Sequence, residues 1–145
     1  MRKIGITAFI AAALVISMAT GAIAANPHFI GTPTATQSGT TVTVSFKAAG
    51  LGNVDEANFT LSGTLTISSR CYTKSGNTPQ AANKQEEIFV TSSGTFPVSN
   101  GQTTGSLSVS GSSTLSCPGG QRVVIEDVSY NLTLSGEGLS TSFSG

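Results

Sequence analysis

Apolar side chains recur at every second position along most of this chain after residue 40. In the stretch 40–47, Val42, Val44 and Phe46 alternate with Ser and Thr residues. Successive side chains of a β-strand point to opposite faces of the sheet, so this rhythm predicts a strand with one face in a core and the other in solvent.

The longest alternating stretch runs from residue 58 to residue 71 and brings a cysteine into phase with the apolar set. The inward phase holds Phe59, Leu61, Gly63, Leu65, Ile67 and Cys71. A strand from Ile88 to Val98 repeats the rhythm, and Asn100-Gly101 then predicts a hairpin, because both central positions of a type I′ turn need positive φ. The phase of the returning strand continues to Leu115 and Cys117.

Weaker signals complete the list of predicted strands. A first strand is expected from Phe29 to Thr36, and a later one from Val123 to Ser135, followed by a turn at 136–138 and a last short strand. The inward residues of the later strand are predicted to be Val124, Val128, Tyr130, Leu132 and Leu134. About seven short strands at this spacing predict an all-β fold, a two-sheet antiparallel β-sandwich.

The start of the chain has the pattern of a secretory signal peptide. Arg2 and Lys3 precede an apolar run, and small residues stand at 22–24. We therefore predict a signal peptide over 1–24, a single β-sandwich domain over 25–145, and secretion to an extracellular or periplasmic location.

An oxidising compartment favours a disulfide between Cys71 and Cys117, the two cysteines of the chain. The bridge would close a loop of about 47 residues and stabilise the fold by roughly 4 kcal/mol in the chain-entropy model. A free catalytic thiol or a metal ligand is the alternative interpretation of the pair.

Composition argues against nucleic acid and acidic membranes as partners. Without residues 1–24 the chain keeps five basic residues against seven acidic ones, a net charge of −2. Five scattered cations make no basic stripe for phosphates or for anionic lipids. No later apolar run approaches the roughly 20 residues of a membrane helix, so we expect no membrane span.

Residues that carry catalysis are scarce, and we predict no enzyme, no metal and no cofactor. His28 is the only histidine. Hydrolytic triads need an imidazole positioned beside a nucleophile, and multi-histidine metal sites need more than one imidazole. The adjacent acidic pairs at 55–56, 86–87 and 126–127 are expected to point to opposite faces of their strands, which leaves only carboxylate pairs across different strands. Asn53, Asp55 and Glu56 are interpreted as a solvated turn, with a calcium site as the alternative.

The segment 73–87 is the best candidate for a binding loop. Its length of about 15 residues exceeds ordinary hairpin loops, and loops this long tend to be either binding loops or disordered. Its polar residues are Lys74, Asn77, Gln80, Asn83, Lys84 and Gln85. Such side chains could bind an extracellular protein or a glycan, and they do not identify a particular ligand.

Two sequons for N-glycosylation begin at Asn58 and Asn131. Both asparagines fall on predicted outward faces, where a glycan would be accessible.

The layout of the chain resembles a group of small exported proteins of bacteria and archaea that have no assigned activity. The resemblance is carried by His28-Phe29-Ile30-Gly31-Thr32-Pro33, by Gly50-Leu51-Gly52-Asn53, and by one cysteine in each half. It implies an immunoglobulin-like sandwich and brings no functional residue with it. The chain lacks the tryptophan that true immunoglobulin domains pack against their disulfide.

These observations favour a non-catalytic extracellular binding or surface-associated module. One alternative is a structural subunit of a fibre or matrix, a homo-oligomer assembled by strand addition with residues 25–36 as the donor. The other is a small secreted enzyme or enzyme inhibitor.

Overall fold

The computed structural model describes residues 26–145, which form eight β-strands. The strands are β1 (His28–Phe29), β2 (Thr34–Ser38), β3 (Thr41–Ala49), β4 (Glu56–Thr73), β5 (Pro79–Pro97), β6 (Thr103–Ser110), β7 (Gln121–Gly136) and β8 (Leu139–Ser144). Within this part of the chain no helix has the length and apolarity needed to cross a membrane. The predicted signal peptide, residues 1–24, lies outside the described residues.

The strands form two antiparallel sheets of four strands each. In the first, the short sheet, β3 pairs with β6 along one side and with β1 and β2 along the other. In the second, the long sheet, the order is β5-β4-β7-β8. Strands β4, β5 and β7 hold 18, 19 and 16 residues, so the long sheet extends past the short one.

The inner faces of the two sheets meet in one core, which confirms the predicted all-β sandwich. Phe46 of the short sheet packs on Phe59 and Phe96 of the long sheet, with ring centroids 4.6 and 5.4 Å apart. There are eight strands instead of about seven, because the expected strand 29–36 is interrupted. Gly31 has φ 68, and β1 ends before it while β2 begins after Pro33.

The turn at Asn100-Gly101 is confirmed, but the hairpin predicted around it is wrong. Both residues have positive φ (55 and 75), and Ser99 and Gln102 exchange main-chain hydrogen bonds of 2.9 and 3.0 Å. Beyond that pair the strands separate, since β5 pairs with β4 and β6 pairs with β3. Alternation identifies the face of a strand that points to the core, but it does not identify the strand with which it pairs. Here β5 and β6 face the same core from opposite sheets.

A β-bulge in β7 corrects the predicted phase of that strand. Ser68 is paired with Asp127 and Ser69 with Ile125, so Glu126 is an extra residue opposite β4. Such an insertion shifts the alternation by one position. Val124 therefore lies on the outer face, opposite Arg70. The inner face instead carries Val123 and Ile125, opposite Cys71 and Ser69.

The long sheet continues where the short sheet ends. The last β3–β6 pair is Thr41 with Ser110, followed by a hydrogen bond of 3.2 Å from the Gly111 N–H to the Thr40 carbonyl. We call the part of the long sheet beyond this level (residues 68–73, 79–87 and 121–127) the overhang. Residues 111–118, which run across it, we call the strap.

Candidate binding surface on the overhang

A disulfide between Cys71 and Cys117 joins the strap to the overhang, with the two Cα atoms 5.7 Å apart. Cys71 is fully buried on the inner face of β4. Along the strap, burial alternates, and Gly111, Ser113, Leu115 and Cys117 are the shielded residues. The predicted bridge and the predicted inward phase of both cysteines are confirmed.

The Glu86 carboxylate fastens the middle of the strap to the inner face of β5. It accepts hydrogen bonds from the main-chain N–H and the hydroxyl of Thr114 (2.9 and 2.5 Å) and from the hydroxyl of Ser113 (3.1 Å). The Glu86 side chain is 13% exposed. The hydrogen bonds from Thr114, above all the one from its side chain, hold the pKa of Glu86 below its usual value, so the carboxylate stays ionised.

Arg70, Tyr72 and Glu126 form a network on the outer face of the overhang. Glu126 accepts a hydrogen bond of 2.8 Å from the Tyr72 hydroxyl, and its two oxygens share the single N–H of Arg70 Nε at 3.2 and 3.3 Å. The Tyr72 hydrogen bond lowers the pKa of Glu126, and the same bond raises the pKa of Tyr72. At neutral pH the network therefore presents a carboxylate, a guanidinium and a neutral phenol in fixed positions.

The β4–β5 turn, residues 74–78, adds a second set of polar contacts beside this network. Arg122 donates to the Asn77 side chain, and Arg70 Nη1 donates to the Gln80 carbonyl at 2.8 Å. The Lys74 N–H donates to the Gly120 carbonyl at 2.9 Å. The turn is thus tied to the start of β7, and the first residues of β5 are tied to β4.

The predicted loop over 73–87 is wrong in extent, because residues 79–87 belong to β5. The six residues proposed from sequence divide into three groups. Lys74 and Asn77 lie in the turn and Gln80 follows it, whereas Asn83 and Gln85 pair with Arg70 and Ser68 on the outer face. Lys84 points to the inner face and donates to the Thr114 hydroxyl at 2.6 Å. All six lie on or beside the overhang.

Charge is concentrated at this end of the molecule. Residues 26–145 contain twelve charged side chains. Eight of them belong to the overhang or its turn: Arg70, Lys74, Lys84, Glu86, Glu87, Arg122, Glu126 and Asp127.

Hydroxyls dominate the outer face of the short sheet. On the short sheet, three cross-strand rows carry only Ser and Thr: Thr34–Ser45–Ser106, Thr36–Thr43–Ser108 and Ser38–Thr41–Ser110. A partner that recognises charge would therefore find it on the overhang.

Other sequence candidates lie away from the overhang. His28 is in β1, where its Nδ1 lies 3.0 Å from the Asn26 carbonyl oxygen. Asn58 and Asn131 are exposed on the outer face of the long sheet, as predicted. In the described part of the chain, no three His, Cys, Asp or Glu side chains are grouped closely enough to hold a metal ion.

Sequence reasoning missed Arg70, Tyr72, Arg122 and Glu126 as members of one surface. Arg70 and Tyr72 continue the outward phase of a strand whose other outward residues are almost all hydroxylic, which was an available signal. Val123-Val124-Ile125 breaks the alternation, and such a break is the mark of a bulge. The bulge also explains why Glu126 and Asp127, expected on opposite faces, share the outer face with Ser68 and Arg70.

Comparison of the chain with protein-family models, with curated proteins and with solved structures finds no match. The resemblance to small exported immunoglobulin-like proteins therefore stays a prediction.

Proposed function

We propose that this protein is an exported, non-catalytic binding module and that the overhang is its binding surface. The observation that carries the proposal is the collection, on one disulfide-linked end of the sandwich, of eight of the twelve charged residues within 26–145. Groups that are held in position before binding lose less entropy when a ligand binds.

The protonation of the overhang supports binding over catalysis. Hydrogen bonds lower the pKa of both Glu86 and Glu126. A general acid needs a raised pKa and a general base one near the working pH, so both shifts run against acid–base catalysis. Charged hydrogen bonds with fixed geometry suit recognition.

The test measures binding by the intact, oxidised protein against two kinds of probe. A phage library of displayed peptides and an array of oligosaccharides represent the two partner classes expected from sequence. The wild type is expected to select members of at least one of them. The double variant Lys74→Gln/Arg122→Gln should lose about tenfold or more in affinity, as for residues central to an interface.

The control is Lys47→Gln/Asp55→Asn, which also removes two charged side chains but from outside the overhang. It should bind like the wild type. Loss of binding in both double variants, or selection of nothing from either collection by the wild type, contradicts the proposal.

A second candidate function, self-association into a fibre or matrix, is favoured by one observation. Strand β5 is an outer strand of the long sheet, its stretch Ile88–Pro97 contains no charge, and Phe89 is 83% exposed on it. Edge strands usually carry charges or other features that prevent pairing with another chain. The donor segment 25–36 expected from sequence is less suitable, because β1 and part of β2 lie in it and pair with β3 of the same chain.

A further inference from the structure

The strap is a segment whose main chain is not paired with a neighbouring strand. It continues the line of β6 past the end of β3, and the Gly111 N–H makes the last bond toward β3, to the Thr40 carbonyl. Among the described residues, no main-chain hydrogen bond joins residues 112–117 to any strand.

The direction of the strap's main-chain groups follows from two observed bonds. The Gly111 N–H points toward the β3 side, whereas the Thr114 N–H points the other way, to Glu86. In an antiparallel ladder, the N–H and C=O of alternate residues point to the same neighbour. Ser113, Leu115 and Cys117 therefore turn their main-chain groups toward the position where a continued β3 would lie, and within this set the Leu115 N–H is bonded to the Ser113 hydroxyl.

The floor below that position is apolar and partly exposed. It consists of Val123 and Ile125, the two inner-face residues that the bulge brings into this phase, and each is 38% exposed. Their spacing of two residues matches successive inward side chains of a strand lying above them. Large apolar side chains left open beside a polar rim are typical of interaction sites.

Two carboxylates lie at the rim of the position, and one of them, Glu126, is already paired with Arg70. A groove of about 450 Å³ runs between the β2–β3 turn and β7, lined by Gln37, Gly39, Ile125, Glu126, Asp127 and Val128. Asp127 makes no hydrogen bond or ion pair with a side chain of residues 26–145. A cation on the incoming partner would complement this rim.

We infer that this position accepts an extended peptide segment of a partner protein, which adds as a strand beside the strap. The unpaired main chain selects a polypeptide, because another main chain supplies matching donors and acceptors. The floor selects apolar side chains at alternate positions, and the rim selects a Lys or Arg next to them. The inference rests on the proposed function and names the partner class of the same end of the molecule.

The experiment uses the full oxidised chain and the synthetic peptide Lys-Val-Thr-Val-Lys, with binding followed by calorimetry and by amide chemical shifts. We expect binding to shift the amides of residues 112–117. A peptide with the same side chains but with N-methyl groups on the main chain facing the strap should bind about tenfold or more weakly, because strand addition depends on main-chain hydrogen bonds.

Two neighbouring valine and isoleucine positions provide the matched variants. Ile125→Thr changes the floor and should weaken binding of this peptide about tenfold, whereas Val124→Thr changes the outer face of the same strand, which faces away from the strap, and should leave binding of this peptide unchanged. Asp127→Asn provides a second variant that does not enter the floor, and it should weaken binding and reduce its dependence on salt.

Equal binding of the two peptides, equal binding by Ile125→Thr and Val124→Thr, or no binding of the synthetic peptide by the wild type overturns the inference. The proposed function survives such a result if the overhang still selects oligosaccharides in the array. It falls together with the inference if neither collection yields a ligand.

Discussion

At the scale of single residues, Glu86 links the strap to the long sheet through three hydrogen bonds. Thr114 and Ser113 stabilise its ionised form and lower its pKa from the ordinary 4.5. A carboxyl with a depressed folded-state pKa stabilises the fold fully above its unfolded pKa, and this contribution is lost as the pH falls through the folded pKa. Part of the acid sensitivity of the protein should therefore come from this residue.

The variant Glu86→Gln should be less stable than the wild type at neutral pH and should lose less stability between about pH 5 and pH 2, since it has no such carboxyl to protonate. Urea unfolding followed at several pH values measures both effects. Glu87→Gln is the control, because it removes a charge from the neighbouring, outward position of β5 and leaves Thr114 untouched. Parallel acid profiles for wild type and Glu86→Gln would contradict the prediction.

Gly105 gives a second residue-level test, because it makes room for the aromatic rings that join the two sheets. A Cβ at this position would lie 2.7 Å from the Phe96 ring and 2.8 Å from Phe46. Overpacking of this kind costs about 1–3 kcal/mol, so Gly105→Ala should lower the free energy of unfolding by that amount in denaturant titration. Gly119→Ala meets no atom within 4 Å and should have little effect. A Gly105→Ala protein as stable as the wild type would mean that the rings move aside easily.

At the scale of elements, alternation predicted the strands that line the core and failed where the core ends. Residues 59–71 of β4 keep one inward phase, which predicted the burial of Phe59 and of Cys71. Strand β5 begins at Pro79, but its first inward apolar residue in the alternating stretch is Ile88, because the overhang faces the polar strap instead of the other sheet. The hydrophobic pattern therefore could not predict that residues 79–87 belong to this strand.

The candidate surface was accessible from sequence only in part, for a related reason. Asn77 and Gln80 were proposed from the polarity of their segment, but their partners Arg122 and Arg70 lie 45 and 10 positions away along the chain. Such contacts depend on which residues of neighbouring strands lie opposite each other. The apolar–polar alternation within each strand does not determine that register here. The phase of β7 was misread because three consecutive apolar residues, 123–125, fit either face equally well.

The disulfide should matter more for the strap than for the rest of the fold. Removing it as Cys71→Ala/Cys117→Ala opens a loop of about 47 residues and should cost roughly 4 kcal/mol in the chain-entropy model. Amide hydrogen exchange should rise most in residues 111–117, since apart from the Gly111 bond to Thr40 their remaining hydrogen bonds all involve side chains. Uniformly raised exchange across both sheets would contradict this local role.

At the scale of the whole molecule, the two ends and the two faces differ in chemistry. Within residues 26–145, the overhang and its turn hold eight of the twelve charged side chains, and the short sheet presents rows of hydroxyls on its outer face. Cross-strand hydrogen bonds such as Thr43–Ser108 at 2.7 Å satisfy part of these hydroxyls within the sheet. Electrostatic attraction of a partner is thus directed to one end of the molecule.

The uncharged outer edge of β5 leads to the last prediction, which concerns self-association. If β5 pairs with β5 of a second copy, sedimentation velocity should show concentration-dependent association of the wild type. Phe89→Thr should weaken it, and Thr91→Lys should abolish it because a lysine on an edge strand opposes pairing with another chain. Ser62→Lys is the matched control, because Ser62 is the cross-strand partner of Thr91 on the central strand β4. A wild type that stays monomeric at every concentration, or equal association of the two lysine variants, would exclude the β5 edge as an assembly surface.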